Sequence, residues 1–83
     1  MFDNVAFEDL CNWAIYDKQI FKKILELIKS IKRTPTQGIG KPEPLKFNKS
    51  GYWSRRITDG HRLVYKVDYE NNIFIPSCKG HYN

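Results

Sequence analysis

Apolar residues recur along the first third of the chain at intervals of three and four. Phe7, Leu10, Cys11 and Ala14 define one such stripe, with Asn4 placed to cap it, and predict a short first helix. Asp17 stands as the cap of a second helix. In it Ile20, Ile24, Leu27, Ile28 and Ile31 form an apolar stripe, while Lys22, Lys23, Glu26, Lys29 and Lys32 face elsewhere. Thr34-Pro35 ends this helix, because proline disfavours the helical conformation in the residue before it. Residues 34–44, TPTQGIGKPEP, hold three prolines and two glycines. That composition excludes a regular helix or a central strand and predicts an exposed loop or extended arm.

Beyond the loop the period changes to two. Strands are predicted at Leu45 to Phe47, Tyr52 to Ile57, Arg62 to Val67 and Ile73 to Cys78, separated by turns at 48–51, 58–60 and 68–72. Pro76 cannot donate a ladder hydrogen bond, so the last strand must be an edge, a bulge, or unpaired at that point. The fold class is therefore α+β: two N-terminal helices packed on one face of a small, twisted, largely antiparallel sheet. The hairpin around Asp59-Gly60 sets its register. A two-residue loop would pair Ile57 with Arg62 and mix polar with apolar side chains on both faces. A three-residue loop with Gly60 left-handed in a bulge pairs Arg56 with Arg62 and sends Ile57 and Leu63 to the helix-covered face. The second register separates the faces and is the expected one. Arg55 then leans toward the core, with its head reaching the edge.

With 83 residues, 41% of them hydrophobic, the chain suffices for one domain over 1–83. A core of that size is marginal, so a homodimer or a tightly bound partner is a natural source of stability. Fourteen Lys and Arg against nine Asp and Glu leave a net charge of +5. That suits a polyanionic partner, and equally a basic protein kept in solution by its charge. Cys11 and Cys78 stand apart without any CxxC or Cys/His cluster and are read as reduced packing residues. Neither a basic, apolar leader nor a long apolar run is present, so a cytoplasmic protein that does not cross a membrane is expected.

Tyr52, Trp53, Tyr65 and Tyr82 beside Arg and Lys suit single-stranded RNA, whose bases stack on rings while phosphates meet cations. Trp53 and Tyr65 are read as core. RNA can be cut without metal or cofactor if a base removes the 2′-hydroxyl proton, a cation stabilises the phosphorane, and an acid protonates the leaving 5′-oxygen. Glu43, Arg62 and His81 could fill those roles. Each has a plain alternative as a solvated carboxylate, a surface arginine and a terminal histidine.

Four ordered motifs narrow the choice: KPEPLK at 41–46, SGYWSRRI at 50–57, HRLVY at 61–65 and CKGHY at 78–82. With the second-helix run WAIYDKQIFKKILELIKSIKRTP, they closely resemble the YoeB family of RelE-type toxins. The resemblance implies a RelE-like fold and a ribosome-dependent mRNA endonuclease acting in the A site. It also implies a cognate antitoxin of the YefM/Phd type as partner. By the same resemblance Glu43 is the general base, Arg62 stabilises the phosphate, His81 is the general acid, and Tyr82 helps position substrate. Lys46 and Arg56 match further basic positions lining the family's site. Two other readings on such a scaffold are a non-catalytic nucleic-acid- or antitoxin-binding module and a ParE-like gyrase inhibitor, neither of which needs an acid and a base around an arginine. The family usually opens with a short strand, here shortened or absent within Met1 to Val5. Gly80 stands where a larger residue is common, and Asn83 follows the tyrosine that usually comes last.

Overall fold

The computed structural model describes residues 1–46 and 51–80. Helix α1 spans Asn4–Tyr16 and α2 spans Lys18–Arg33. Four strands follow, β1 Glu43–Pro44, β2 Trp53–Thr58, β3 His61–Val67 and β4 Ile73–Ser77, in an antiparallel sheet of order β1-β2-β3-β4. The first strand lies earlier than expected, at 43–44, and part of the predicted segment falls outside the described residues. The chain's opening survives as a single parallel bridge, Phe2 to Ile75, flanked by hydrogen bonds from the Ile75 N–H to the Met1 carbonyl and from the Asp3 N–H to the Ile75 carbonyl. Pro76 lies within a register shift of the β3–β4 ladder, where no donor is required of it.

The two helices meet the sheet differently. In α2 the predicted stripe is the buried one: Ile20, Ile24, Leu27 and Ile31 are inside, Ile28 packs against them, and the Asp17 carboxylate accepts the Ile20 N–H as the cap. In α1 the inward line is instead Ala6, Leu10 and Trp13, with Ala6 fully buried. Phe7 and Cys11, expected inside, are exposed, and Cys11 is therefore no packing residue. Helix α1 carries apolar residues on two sides, and its large Trp13 reaches the sheet end while the stripe chosen from spacing faces out. Asn4 is the first helical residue; Asp3 precedes the helix and its side chain caps nothing.

The helix-covered face of the sheet carries Ile57, Leu63, Tyr65, Ile73 and Ile75, joined by Cys78 and edged by Trp53 and Val67. Burying a large aliphatic side chain contributes about 1.5–3 kcal/mol, so this shared cluster is the main favourable term of the fold. The β2–β3 register pairs Arg56 with Arg62, as expected, and then Thr58 with His61. The extra residue is accommodated differently from the prediction. Gly60 does not have a positive φ; the ladder bulges between Arg56 and Thr58, and Asp59-Gly60 forms the turn with the Gly60 N–H donated to the Thr58 hydroxyl. Either device keeps Ile57 and Leu63 on one face.

Arg55 departs most from expectation. It is 0% exposed, and its head lies wholly inside. Its Nε donates to the Tyr65 hydroxyl at 3.1 Å, Nη1 to the Ser30 hydroxyl at 2.6 Å and the Ile39 carbonyl at 3.2 Å, and Nη2 to the carbonyls of Thr34 at 2.7 Å and Gln37 at 2.8 Å. Tyr65 in turn donates to the Pro35 carbonyl at 2.6 Å. The 34–42 loop is therefore no free arm: its side chains are mostly exposed, but its backbone is wrapped around a guanidinium. The Arg56 N–H adds a bond to the Gly40 carbonyl at 2.6 Å. Gly40 has φ +84°, and a Cβ there would lie 2.7 Å from Leu27 and 3.1 Å from the Arg56 carbonyl, so only glycine lets the loop pass.

Candidate nucleic-acid interface

Side chains alternate along each strand, and directly opposed residues of antiparallel neighbours share a face. The face turned away from the helices can be read from the register. Glu43 opposes Ser54, Ser54 opposes Val64, and Val64 opposes Ser77, which makes one row across all four strands. Two residues along, Arg56 opposes Arg62. On the other side of the central row lie Tyr52, Lys66 and Phe74, with the Lys66 ammonium 5.4 Å from the Tyr52 ring centroid. The face thus holds a carboxylate, three cations and two aromatic rings.

Placement of each expected residue follows from these rows. Glu43 is exposed on β1, held next to β2 because the Arg55-bound loop delivers the chain there. Arg62 and Arg56 are half-buried cross-strand neighbours. Like charges directly opposed destabilise a strand pair unless an anion lies between them. Among the described residues the only carboxylate near either is the fully exposed Asp59, 3.8 Å from Arg56. The Arg56 Nε is buried and finds no acceptor among the described residues. Lys46 is exposed just past β1, where no strand pairing sets its direction. His81 and Tyr82 lie outside the described residues.

The chain leading to that pair is held from the helix side. Arg62 donates its N–H to the Gly80 carbonyl at 3.0 Å, and the Gly80 N–H donates to the His61 Nδ1 at 2.8 Å. The His61 ring meets Trp13 edge to face with centroids 4.9 Å apart, and the Trp13 indole N–H donates to the Cys78 carbonyl at 3.0 Å. Trp13 and His61 were not singled out from the sequence. Strand parity was the available signal, since it turns His61 to the helix side when Arg62 faces out. Burial pushes the Cys78 thiol beside this clamp up to about 12, with a smaller contribution from the negative charge of Asp9, and its Sγ–H donates to the Ala6 carbonyl.

Two helices on one side of an open antiparallel sheet, with an arginine pair and Glu43 on the side away from the helices, define a small basic α+β protein. The family model described as the YoeB-like toxin of bacterial type II toxin–antitoxin systems matches residues 2–82, and the chain belongs to that family. The Toxin YoeB of Escherichia coli strain K12 is 54% identical over 77 residues, which are 93% of this chain and 90% of that protein. Among solved structures, a YoeB/ParE toxin from Agrobacterium tumefaciens superposes with a TM-score of 0.95 at 42% identity, covering 99% of this chain and 96% of the other. The toxin in a YoeB-YefM complex from Staphylococcus aureus superposes with a TM-score of 0.92 at 54% identity, covering 99% and 94%. The fold expected from the resemblance is the one observed.

Proposed function

We propose that this toxin is a ribosome-dependent mRNA endoribonuclease that cleaves in the A site, and that the face of the sheet away from the helices carries its RNA-binding residues. The observation that carries the reading is the directly opposed Arg56–Arg62 pair with Glu43 on the same face. Two cations held side by side are costly in the free protein and favourable around a phosphate. Glu43 accepts the proton of the ribose 2′-hydroxyl, and the 2′-oxygen attacks the adjacent phosphorus. Arg62 stabilises the charge of the phosphorane. His81 gives its proton to the departing 5′-oxygen, leaving a 2′,3′-cyclic phosphate and a free 5′-hydroxyl. Arg56 and Lys46 hold flanking phosphates, and Tyr82 positions the substrate. Tyr52 and Phe74, which border a cavity of about 270 Å³, offer rings for base stacking.

The cognate partner in this reading is an antitoxin of the YefM/Phd type, as in the Staphylococcus aureus complex, and its acidic or amphipathic segment covers the basic face. Action on ribosomes places the protein in the cytoplasm; no helix among the described residues is long and apolar enough to cross a membrane. Induced expression followed by mapping of mRNA 5′ ends tests the reading. New ends at A-site codons are expected, and they should disappear with Glu43→Gln or His81→Ala, each lowering cleavage by about 10² to 10⁴. Growth arrest without new ends would sink the nuclease mechanism and point to a gyrase-directed or purely binding protein.

A further inference from the structure

We propose that His61 is a positioning residue for cleavage: its Nδ1 anchors the Gly80 amide and so sets where the chain delivers His81. This rests on the nuclease reading above. His61 begins β3 one residue before Arg62, and strand alternation turns the two side chains to opposite faces. Arg62 faces away from the helices, while His61 turns to the helix side, where its ring and that of Trp13 meet in a T-shaped contact. In this position Nδ1 accepts the Gly80 N–H, so that nitrogen carries no proton and Nε2 holds it. Two consecutive residues of β3 therefore hold both backbone groups of Gly80: the Arg62 N–H donates to the Gly80 carbonyl, and the His61 ring accepts the Gly80 N–H. Trp13 fixes the preceding stretch through the Cys78 carbonyl and the His61 ring through the T-shaped contact.

The clamp has a reason in the local sequence. Gly80 has φ +76°, and a Cβ there would meet nothing within 4 Å among the described residues. Gly80 carries no side chain to pack, and its two backbone hydrogen bonds hold it in place. Gly80 is also conformationally the most permissive residue, so an unclamped tail would spread the acid over many positions. Misplacing a reacting group by about 1 Å can cost 10²-fold in rate while leaving binding intact. In the proposed reaction phosphate binding rests on the side chains of Arg56, Arg62 and Lys46, and among the described residues the His61 ring is hydrogen-bonded to the Gly80 N–H and to none of these three. Loss of the clamp should therefore lower kcat and spare KM.

Three variants separate the acceptor from the ring. His61→Phe keeps a ring against Trp13 but has no acceptor; His61→Asn places Oδ1 as many bonds from the backbone as Nδ1; His61→Gln places its acceptor one bond further out. On programmed ribosomes H61F should lose about 10- to 10²-fold in kcat with KM within about twofold, H61Q should resemble it, and H61N should recover most of the rate. Amide exchange gives a second readout that needs no catalysis: Gly80 protection should fall in H61F and return in H61N. Wild-type kcat in H61F, unchanged Gly80 exchange, or equal loss in H61F and H61N would each overturn the positioning role. A wild-type chain that cuts no mRNA would remove the nuclease reading and the positioning role with it, while Gly80 exchange would still decide whether the clamp exists.

Discussion

Arg55 and Arg56 are neighbours in the chain and face opposite sides of the same strand, yet they meet opposite surroundings. Arg55 is sealed inside and its donors are met by two hydroxyls and a ring of loop carbonyls, with no carboxylate among them. Arg56 is half-exposed, paired across the ladder with another arginine, and keeps a buried Nε without an acceptor among the described residues. A planar guanidinium with five donors can organise a loop only if every donor is used. Arg56 instead keeps a buried donor that none of the described residues uses. Residue type says little here; satisfaction of the donors separates the arginine that holds the loop from the one proposed to meet a phosphate.

The comparison breaks first at Arg55. Arg55→Met keeps the bulk but leaves the carbonyls of Thr34, Gln37 and Ile39 and the Ser30 hydroxyl without their donor. At about 1–3 kcal/mol for each buried group left unpaired, it should cost at least about 3 kcal/mol, a large share of a small domain's stability. Urea denaturation measures it. A loss under about 1 kcal/mol would mean that water replaces the guanidinium and that the loop does not need it.

Arg62→Ala should do the reverse, lowering mRNA cleavage by about 10²- to 10³-fold without loss of stability. Relief of the Arg56–Arg62 repulsion should even raise stability by a few tenths of a kcal/mol, about the size of a cross-strand pair term. An unfolding midpoint well below wild type would show Arg62 to be structural after all.

The two cysteines repeat the contrast of inside and outside at a smaller scale. Cys11 is exposed, whereas burial lifts the Cys78 thiol from 9.0 to about 12. One thiol per native chain should react with iodoacetamide at pH 8, and two in denaturant; mass spectrometry counts them. Because the folded chain keeps a proton that the unfolded chain loses, stability should fall as pH rises from about 9 toward 12.

The smallest effect is expected at the β3–β4 turn, where the Asp68 carboxylate accepts the N–H groups of Asn72 and Glu70 and is held below the usual carboxylate range by those bonds. A lowered carboxyl stabilises the fold above the ordinary range and loses that contribution as pH falls through it. Asp68→Asn should flatten the acid limb of the stability profile slightly. An unchanged limb would show that the turn holds without the charge.

Local pattern alone determined a good deal of this protein. The α2 stripe, its Asp17 cap and its end at Thr34-Pro35 were all legible because helix burial, capping and proline sterics act within a few residues. The Arg56–Arg62 pairing was legible as well, since a strand has only two faces and one of them must be apolar. The four ordered motifs carried the family, which the comparisons bear out. Tertiary structure alone decided the rest. Which of two apolar sides of α1 goes inward depended on Trp13 reaching the tail, and whether the 34–42 loop is free or fixed depended on a guanidinium thirteen or more residues further along the chain. The bulge took Ile57 rather than Gly60 because either keeps the same face buried. These are contacts between residues far apart in sequence, whose free energy exists only once the backbone has closed, and no spacing of residue types encodes them.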